Sequence, residues 1–98
     1  MNEVEFRIWM NKNEVNKKVQ SDTVSRIKKI EREINHCDID EQYRSDKCNY
    51  LMSLFVNKGI NERMKKYPDA EFPFGEYHMS TYRYAIKNYV KFCDECYL

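Results

Sequence analysis

Residues 80–96 read STYRYAIKNYVKFCDEC and decide the fold, because their apolar side chains recur at helical spacing. The spacing i, i+3, i+4, i+7, i+8, i+11 places all of them on one face of an α-helix. They are Tyr82, Ala85, Ile86, Tyr89, Val90 and Cys93. Ser80 is predicted to cap this helix, because a serine hydroxyl accepts hydrogen bonds from first-turn amides. A helix with one apolar face needs other helices to cover it, so the stretch predicts a helical bundle.

The composition of the 98-residue chain supports this class. Two glycines and two prolines are too few for the turns of an all-β sandwich. A chain of this length is expected to form one domain, residues 1–98, with a radius of gyration of about 13 Å. The formal charge is +1, so binding to nucleic acid would depend on local patches of charge.

The sequence has no recognisable signal peptide and no candidate membrane span. Its first ten residues, MNEVEFRIWM, contain two acids and lack a basic start followed by an apolar run. No stretch approaches the ~18 consecutive apolar residues that a span requires. We therefore expect a cytoplasmic protein without a membrane partner, whose four cysteines are reduced thiols.

Three earlier segments are predicted to pack against the last helix. Residues 2–12 are predicted to form a short helix, and residues 17–35 a long one that Asn16 or Ser21 caps, Asn16 giving the earlier start. Asp46 is predicted to cap a third helix over 47–56. The apolar residues of these helices are Val4, Phe6, Ile8, Trp9 and Met10, then Val19, Thr23, Val24, Ile27, Ile30 and Ile34, and finally Cys48, Leu51, Met52 and Phe55.

The segment before the last helix is the least regular part of the chain. Gly59 is predicted to end the third helix in a left-handed conformation. Ile60, Met64 and Tyr67 are predicted to line one face of a short helix that Pro68 ends. Over residues 69–78 we expect a surface loop in which Phe72 and Phe74 lie against the core. Loops of this length are usually functional or mobile. The predicted architecture is an all-α, compact bundle of four main helices with an irregular loop before the last helix.

The order of these segments resembles a known helical family. The stretches are FRIWM (6–10), TVSRIKKIE (23–31), LMSLF (51–55) and YRYAIKNYVKFC (82–93). Together they resemble the SAM-like N-terminal core-binding domain of phage integrases and other tyrosine recombinases. Similar helical domains precede nuclease domains in bacterial restriction-type proteins. The resemblance implies a domain that grips DNA from one side, while a separate domain holds the catalytic residues.

The same resemblance implies that two rows of cations contact DNA. The first row, on the second helix, is Arg26, Lys29 and Arg32, and the second row, on the last helix, is Arg83, Lys87 and Lys91. The alternative for the first row is a solvated face of weak ion pairs, which would join Asp22 to Arg26 and Lys29 to Glu33. In the second row only Lys91 has an acid four residues away, so these cations are predicted to be unpaired. They are then either solubilising charges or a contact site for an acidic partner.

No constellation of catalytic groups is evident, so we expect neither an enzyme nor a small-molecule substrate. Cys93 and Cys96, together with His36 and Cys37, offer four ligands that zinc accepts. Because Cys93 belongs to the apolar stripe, we interpret it as a buried hydrophobic residue and expect no metal or other cofactor. His36 and His78 have no nucleophile at a suggestive spacing.

Two functions remain open from the sequence. The first is a non-catalytic DNA-associated module that contacts phosphates through the cationic helix faces. The second is a protein-interaction module of a phage or other mobile element, which docks on a larger nucleic-acid-processing protein and inhibits it, as anti-CRISPR proteins do. The loop over 57–79 and eight tyrosines, of which Tyr77, Tyr84 and Tyr97 are expected on the surface, favour the second function.

Overall fold

The computed structural model describes residues 1–96, so the prediction for Tyr97 lies outside the described residues. Residues 1–96 form five α-helices and contain no strand. The helices are α1 (Glu3–Lys12), α2 (Lys17–Glu33), α3 (Ile39–Asp46), α4 (Asn49–Leu54) and α5 (Glu76–Cys96), and the 3₁₀ turns Asn57–Gly59 and Met64–Lys66 lie between α4 and α5. The predicted all-α class is confirmed, and the radius of gyration is 13.0 Å.

Helix α5 is the central element, as its apolar stripe predicts. It packs most extensively against α2, and it also contacts α1, α4 and the first 3₁₀ turn. Tyr82, Ala85, Ile86 and Tyr89 are buried, and Val90 is half-buried against the same core. The ring of Tyr82 stacks on that of Phe55 at a centroid distance of 5.4 Å, which joins α5 to the end of α4. One continuous apolar core therefore connects the helices.

Helix α5 begins one turn earlier than predicted, at Glu76. Gly75 has a φ of +115°, which side-chain-bearing residues rarely adopt, and its carbonyl accepts the first helical hydrogen bond from Met79 at 3.0 Å. The prediction that Ser80 caps the helix is wrong, because buried Met79 extends the apolar face past it. The Ser80 hydroxyl instead donates a hydrogen bond to the Tyr77 carbonyl inside the helix, at 2.8 Å.

The helix predicted over 47–56 is interrupted at its start. Asp46 is the last residue of α3, and Lys47 and Cys48 both have left-handed backbone conformations, with φ of +55° and +63°. A helix cannot continue through two such residues, so α3 and α4 are separate. Asp46 nevertheless accepts a hydrogen bond from the Tyr50 N–H at 2.9 Å, so its carboxylate satisfies a first-turn amide of α4.

The predicted start of α2 is confirmed, whereas Gly59 adopts the predicted conformation at a different place. The Asn16 side chain accepts a hydrogen bond from the Val19 N–H at 2.9 Å, which caps α2. Gly59 has the predicted left-handed conformation, with a φ of +82°, but it does not end the third helix, because α4 ends at Leu54 and Gly59 is the last residue of the following 3₁₀ turn. In both cases the residue type meets a local backbone requirement, which explains why sequence patterns identify it.

Helix α1 presents only part of its apolar surface to the core. Phe6, Trp9 and Met10 are buried, at the spacing i, i+3, i+4. Val4 and Ile8 lie on the opposite side, and Val4 is 71% exposed. The indole N–H of Trp9 donates a hydrogen bond to Glu95 at 3.1 Å, which ties α1 to the end of α5.

Candidate functional site

The cations predicted on α2 contact other residues of the chain. Lys29 Nζ lies 5.8 Å from the centroid of the Phe72 ring, a cation–π contact with the loop before α5. Arg32 Nε lies 3.4 Å from the Glu33 carboxylate, and Arg26 is half-buried. This row is therefore partly engaged in holding the loop against α2.

The ion pairs proposed for α2 are not the ones that form. Asp22 lies 3.8 Å from Lys18, on the preceding turn, and has no ion pair with Arg26 in the described chain. The carboxylate of Glu33 accepts a hydrogen bond from the Glu71 N–H at 2.8 Å, and this bond lowers the pKa of Glu33. The expected pairs are wrong because Asp22 pairs with Lys18, while Glu33 pairs with its neighbour Arg32 and accepts a hydrogen bond from the loop over 57–75.

Arg83 is bound within the chain, so the prediction that it has no partner is wrong. Its guanidinium donates one hydrogen bond to the Phe55 carbonyl, just after α4, and forms an ion pair with Glu76 in the first turn of α5. Its side chain is only 21% exposed. Glu76 lies seven residues before Arg83, and Phe55 lies on another segment. A comparison of residues four positions apart therefore identifies neither partner. Arg83 therefore connects two segments of the fold.

Lys87 and Lys91 are exposed on the outer side of α5. They lie roughly 160° around the helix from the middle of its buried face, so they point away from α2. Neither forms an ion pair with any residue in 1–96, and Glu95 accepts the Trp9 hydrogen bond described above. Exposed Tyr84 shares this side of the helix. The two cationic rows consequently do not form one continuous surface.

The loop before α5 encloses a pocket of about 300 Å³. It is lined by Gly59, Ile60, Asn61, Met64, Lys65, Tyr67, Pro68, Ala70, Phe72 and Phe74. The alternate residues Ala70, Phe72 and Phe74 line it, whereas Glu71 and Pro73 do not. This alternation is typical of an extended chain, in which consecutive side chains point to opposite sides.

Two phenylalanines of this loop have different environments. Phe72 is buried, with its ring 5.3 Å from that of Phe55 and 5.2 Å from that of Tyr82, as the sequence predicts. Phe74 is 58% exposed, so the prediction that it lies in the core is wrong. It packs against Gly59, where an added Cβ would lie 3.0 Å from the Phe74 ring. The backbone at Gly59 therefore supports Phe74 at the rim of the pocket.

A separate cluster of charges surrounds the N-terminal amine. The ammonium of Met1 lies 3.3 Å from Glu31 and 3.2 Å from Asp40. Burial would lower the pKa of this amine, but the hydrogen bond with Asp40 and the two negative charges outweigh burial and raise it. The buried Tyr89 hydroxyl donates to Asp40 and accepts a hydrogen bond from the Asn2 N–H. These groups satisfy one another and join helices, so we interpret the cluster as structural.

The four cysteines are free thiols in two kinds of environment. Cys48 and Cys93 are buried, and burial raises the pKa of each to about 12. Cys37 is half-buried with a pKa raised to about 11, mainly by burial, whereas Cys96 is exposed. Within residues 1–96, no three His, Cys, Asp or Glu side chains meet in an arrangement that could hold a metal ion.

These environments predict an order of thiol reactivity. Because the thiolate is the nucleophile, Cys96 should react with iodoacetamide in the native protein, while Cys48 and Cys93 stay protected until the chain unfolds. Mass spectrometry of peptides after alkylation, with and without urea, measures this. Native labelling of Cys93 at the rate of Cys96 would show that the last turn of α5 does not pack as described.

No family model, no curated protein and no solved structure matches this chain. The resemblance to integrase core-binding domains therefore remains a prediction from residue types and spacing. No helix within the described residues is sufficiently long and apolar to cross a membrane. The fold and the exposed groups together describe an all-α domain with two candidate recognition surfaces, the loop pocket and the outer side of α5.

Proposed function

We propose that this protein is a non-catalytic protein-interaction module that binds its partner through the loop between α4 and α5. The observation that carries the proposal is the pair of large apolar side chains at the pocket, Ile60 and Phe74, which are 65% and 58% exposed. Apolar side chains gathered around a concavity mark interaction sites more often than single exposed ones do. Such groups also provide most of the binding energy at interfaces.

The loop is held by the fold, which favours binding without a large ordering cost. Asn61 donates hydrogen bonds to the Leu54 and Val56 carbonyls at 3.0 and 3.1 Å, and it accepts one from the Met64 N–H at 2.9 Å. On the other side of the pocket, Phe72 is anchored between aromatic rings of the core. A surface that is already ordered loses less conformational entropy on association.

For the partner we propose a larger nucleic-acid-processing protein, as in the second of the two functions that the sequence leaves open. Inhibition of a nuclease by a phage or mobile-element protein, as in anti-CRISPR action, is one form that this interaction would take. The charge of +1 is compatible with docking on protein, because it creates no strong general attraction to nucleic acid.

The second candidate function is DNA binding through the outer side of α5. It is favoured by Lys87 and Lys91, which have no ion-pair partner in the described part of the chain, and by exposed Tyr84 beside them. Arg26, Lys29, Arg32 and Arg83 are available only in part, because the fold buries or engages them.

A peptide-display selection tests the protein-interaction proposal. We expect random peptides selected on the wild-type protein to shift the amide NMR signals of residues 57–75. Phe74→Asp should weaken their binding at least about tenfold, since a hot-spot aromatic typically contributes 2 kcal/mol or more. Val4→Asp is the matched control, because it replaces an equally exposed apolar residue on α1.

Duplex DNA provides the competing measurement. A DNA module that makes about three to six phosphate contacts should lose affinity steeply between about 50 and 200 mM salt. Lys87→Glu/Lys91→Glu should then abolish binding, and Phe74→Asp should not affect it. That pattern, together with selected peptides that bind outside residues 57–75, would replace the protein-interaction proposal with the DNA one.

A further inference from the structure

We propose that the loop pocket binds an acidic peptide segment of the partner, with one bulky apolar side chain inserted in the pocket and carboxylates beside it. This inference rests on the proposed function and adds the chemistry of the ligand. Two features support it: the interior of the pocket has few free polar groups, and the charges near its mouth are predominantly positive.

The interior of the pocket suits an apolar side chain. Its two uncharged polar side chains are both engaged within the chain: Asn61 binds three backbone groups, and the Tyr67 hydroxyl is hydrogen-bonded to that of Tyr50 at 2.9 Å. The remaining uncharged lining is largely aliphatic or aromatic, including Met64 and Phe72. A polar ligand group placed there would lose its hydration without full compensation.

The volume of the pocket limits what enters it. About 300 Å³ lies at the lower end of the roughly 300–1,000 Å³ typical of ligand sites. This volume accommodates one bulky apolar side chain, such as phenylalanine or leucine. The exposed sides of Ile60 and Phe74 then contact the neighbouring residues of the same peptide.

The charges beside the pocket select an acidic segment. Lys65 is the one charged residue in its lining, and exposed Lys58 and Lys66 lie on the same stretch of chain. Glu62 is the only acid in that stretch, and it pairs with Lys65 at 3.0 Å on the surface. Neither Lys58 nor Lys66 has an ion pair with another described residue.

The remaining charges of the loop, like Lys58 and Lys66, lie outside the lining. Asp69 and Glu71 do not line the pocket, and Glu71 occupies the alternate position that faces away from it. The Arg63 guanidinium lies 5.6 Å from the Tyr50 ring centroid and donates a hydrogen bond to Ser53, so it is held against α4. Lys58, Lys65 and Lys66 therefore outnumber Glu62 and Asp69 beside the pocket, and this local excess of positive charge favours association with carboxylates.

Four fluorescein-labelled synthetic peptides test the inference by fluorescence anisotropy. Three carry one phenylalanine flanked on both sides by aspartate, asparagine or lysine, and the fourth is the aspartate peptide with alanine in place of phenylalanine. We expect the aspartate peptide to bind at least about tenfold tighter than the lysine peptide, and to weaken with added salt. The asparagine peptide should be intermediate, and the alanine peptide should not bind measurably.

Charge reversal at the pocket should change this order. In Lys65→Glu/Lys66→Glu, the preference for aspartate over lysine should disappear or reverse. Lys17→Glu/Lys18→Glu is the matched control, because it also reverses two adjacent exposed lysines. Lys18 pairs with one acid, as Lys65 does. The control should keep the wild-type order of affinities, and melting temperatures establish that both variants are folded.

The outcomes separate this inference from the proposed function. Equal affinities for the aspartate and asparagine peptides, or an unchanged preference in Lys65→Glu/Lys66→Glu, would overturn the acidic ligand. Display-selected peptides that still require Phe74 would in that case leave the protein-interaction module standing. Dimerisation that depends on protein concentration and is lost in Phe74→Asp would assign the pocket to a second copy of this chain and would also overturn the inference. Selected peptides that bind away from the loop would remove both proposals.

Discussion

Replacing Phe6 with alanine is expected to lower the free energy of unfolding by about 3–5 kcal/mol. Phe6 is fully buried, and its ring centroid lies 4.9 Å from that of Tyr89 and 5.3 Å from that of Phe92. The substitution removes a central part of the contact between α1 and α5 and leaves a cavity that the neighbouring rings cannot readily fill. Because domains of this size have total stabilities of about 5–15 kcal/mol, a large part of the stability would be lost.

Val4→Ala in the same helix is the control for this substitution. Val4 is largely exposed, so its truncation should change the free energy of unfolding by less than about 0.5 kcal/mol. Urea titrations of both variants, followed by far-ultraviolet circular dichroism, provide the comparison. A cost below about 1 kcal/mol for Phe6→Ala would mean that α1 does not pack on α5 as described.

Arg83→Glu is expected to destabilise the protein by about 2–3 kcal/mol, or on the order of 10 °C in Tm. The change removes the donor to the Phe55 carbonyl and places a carboxylate against Glu76. The partial exposure of Arg83 limits the electrostatic part of this effect. The lost hydrogen bond between the end of α4 and α5 therefore accounts for most of the loss.

Lys87→Glu, one turn further along α5, is the matched charge reversal. Because Lys87 has no ion pair within residues 1–96, its reversal should leave Tm nearly unchanged. Differential scanning calorimetry of the two variants decides between a structural and a purely surface role for Arg83. Equal melting temperatures would show that the Arg83 contacts add nothing measurable to stability. From the sequence alone, both reversals are predicted to leave Tm nearly unchanged.

Hydrophobic periodicity predicts the all-α class and the buried face of α5 because both depend on the apolar pattern along the chain. The Asn16 cap is predictable for a related reason, since a cap satisfies amides only a few residues away. The start of α5 is not: Ser80 has the chemistry of a cap, but Gly75 provides the turn into the helix. The break at Lys47 and Cys48 also escapes prediction, because neither residue type favours a left-handed backbone.

The candidate site was predictable as a segment but not in its details. The irregular composition over 57–79 indicates a loop with a possible function, and this is where the pocket lies. Which phenylalanine faces the core depends on packing. Phe72 fits between the rings of Phe55 and Tyr82, whereas Phe74, two residues later, packs against Gly59 at the surface. The availability of Arg83 likewise depends on contacts between segments that are distant along the chain.

The left-handed residues at the helix junctions also bear on how this protein can be improved as a scaffold. Among the described residues, seven that are not glycine have positive φ, and most of them lie where one helix gives way to the next. They are Glu14, Asn35, His36, Lys47, Cys48, Asn57 and Lys58. Each such backbone costs roughly 1 kcal/mol that glycine would not incur, although glycine raises the entropy of the unfolded chain. Substitutions at these junctions are therefore expected to raise the thermal stability of the protein more readily than substitutions in the core, which is already closely packed and tolerates few changes.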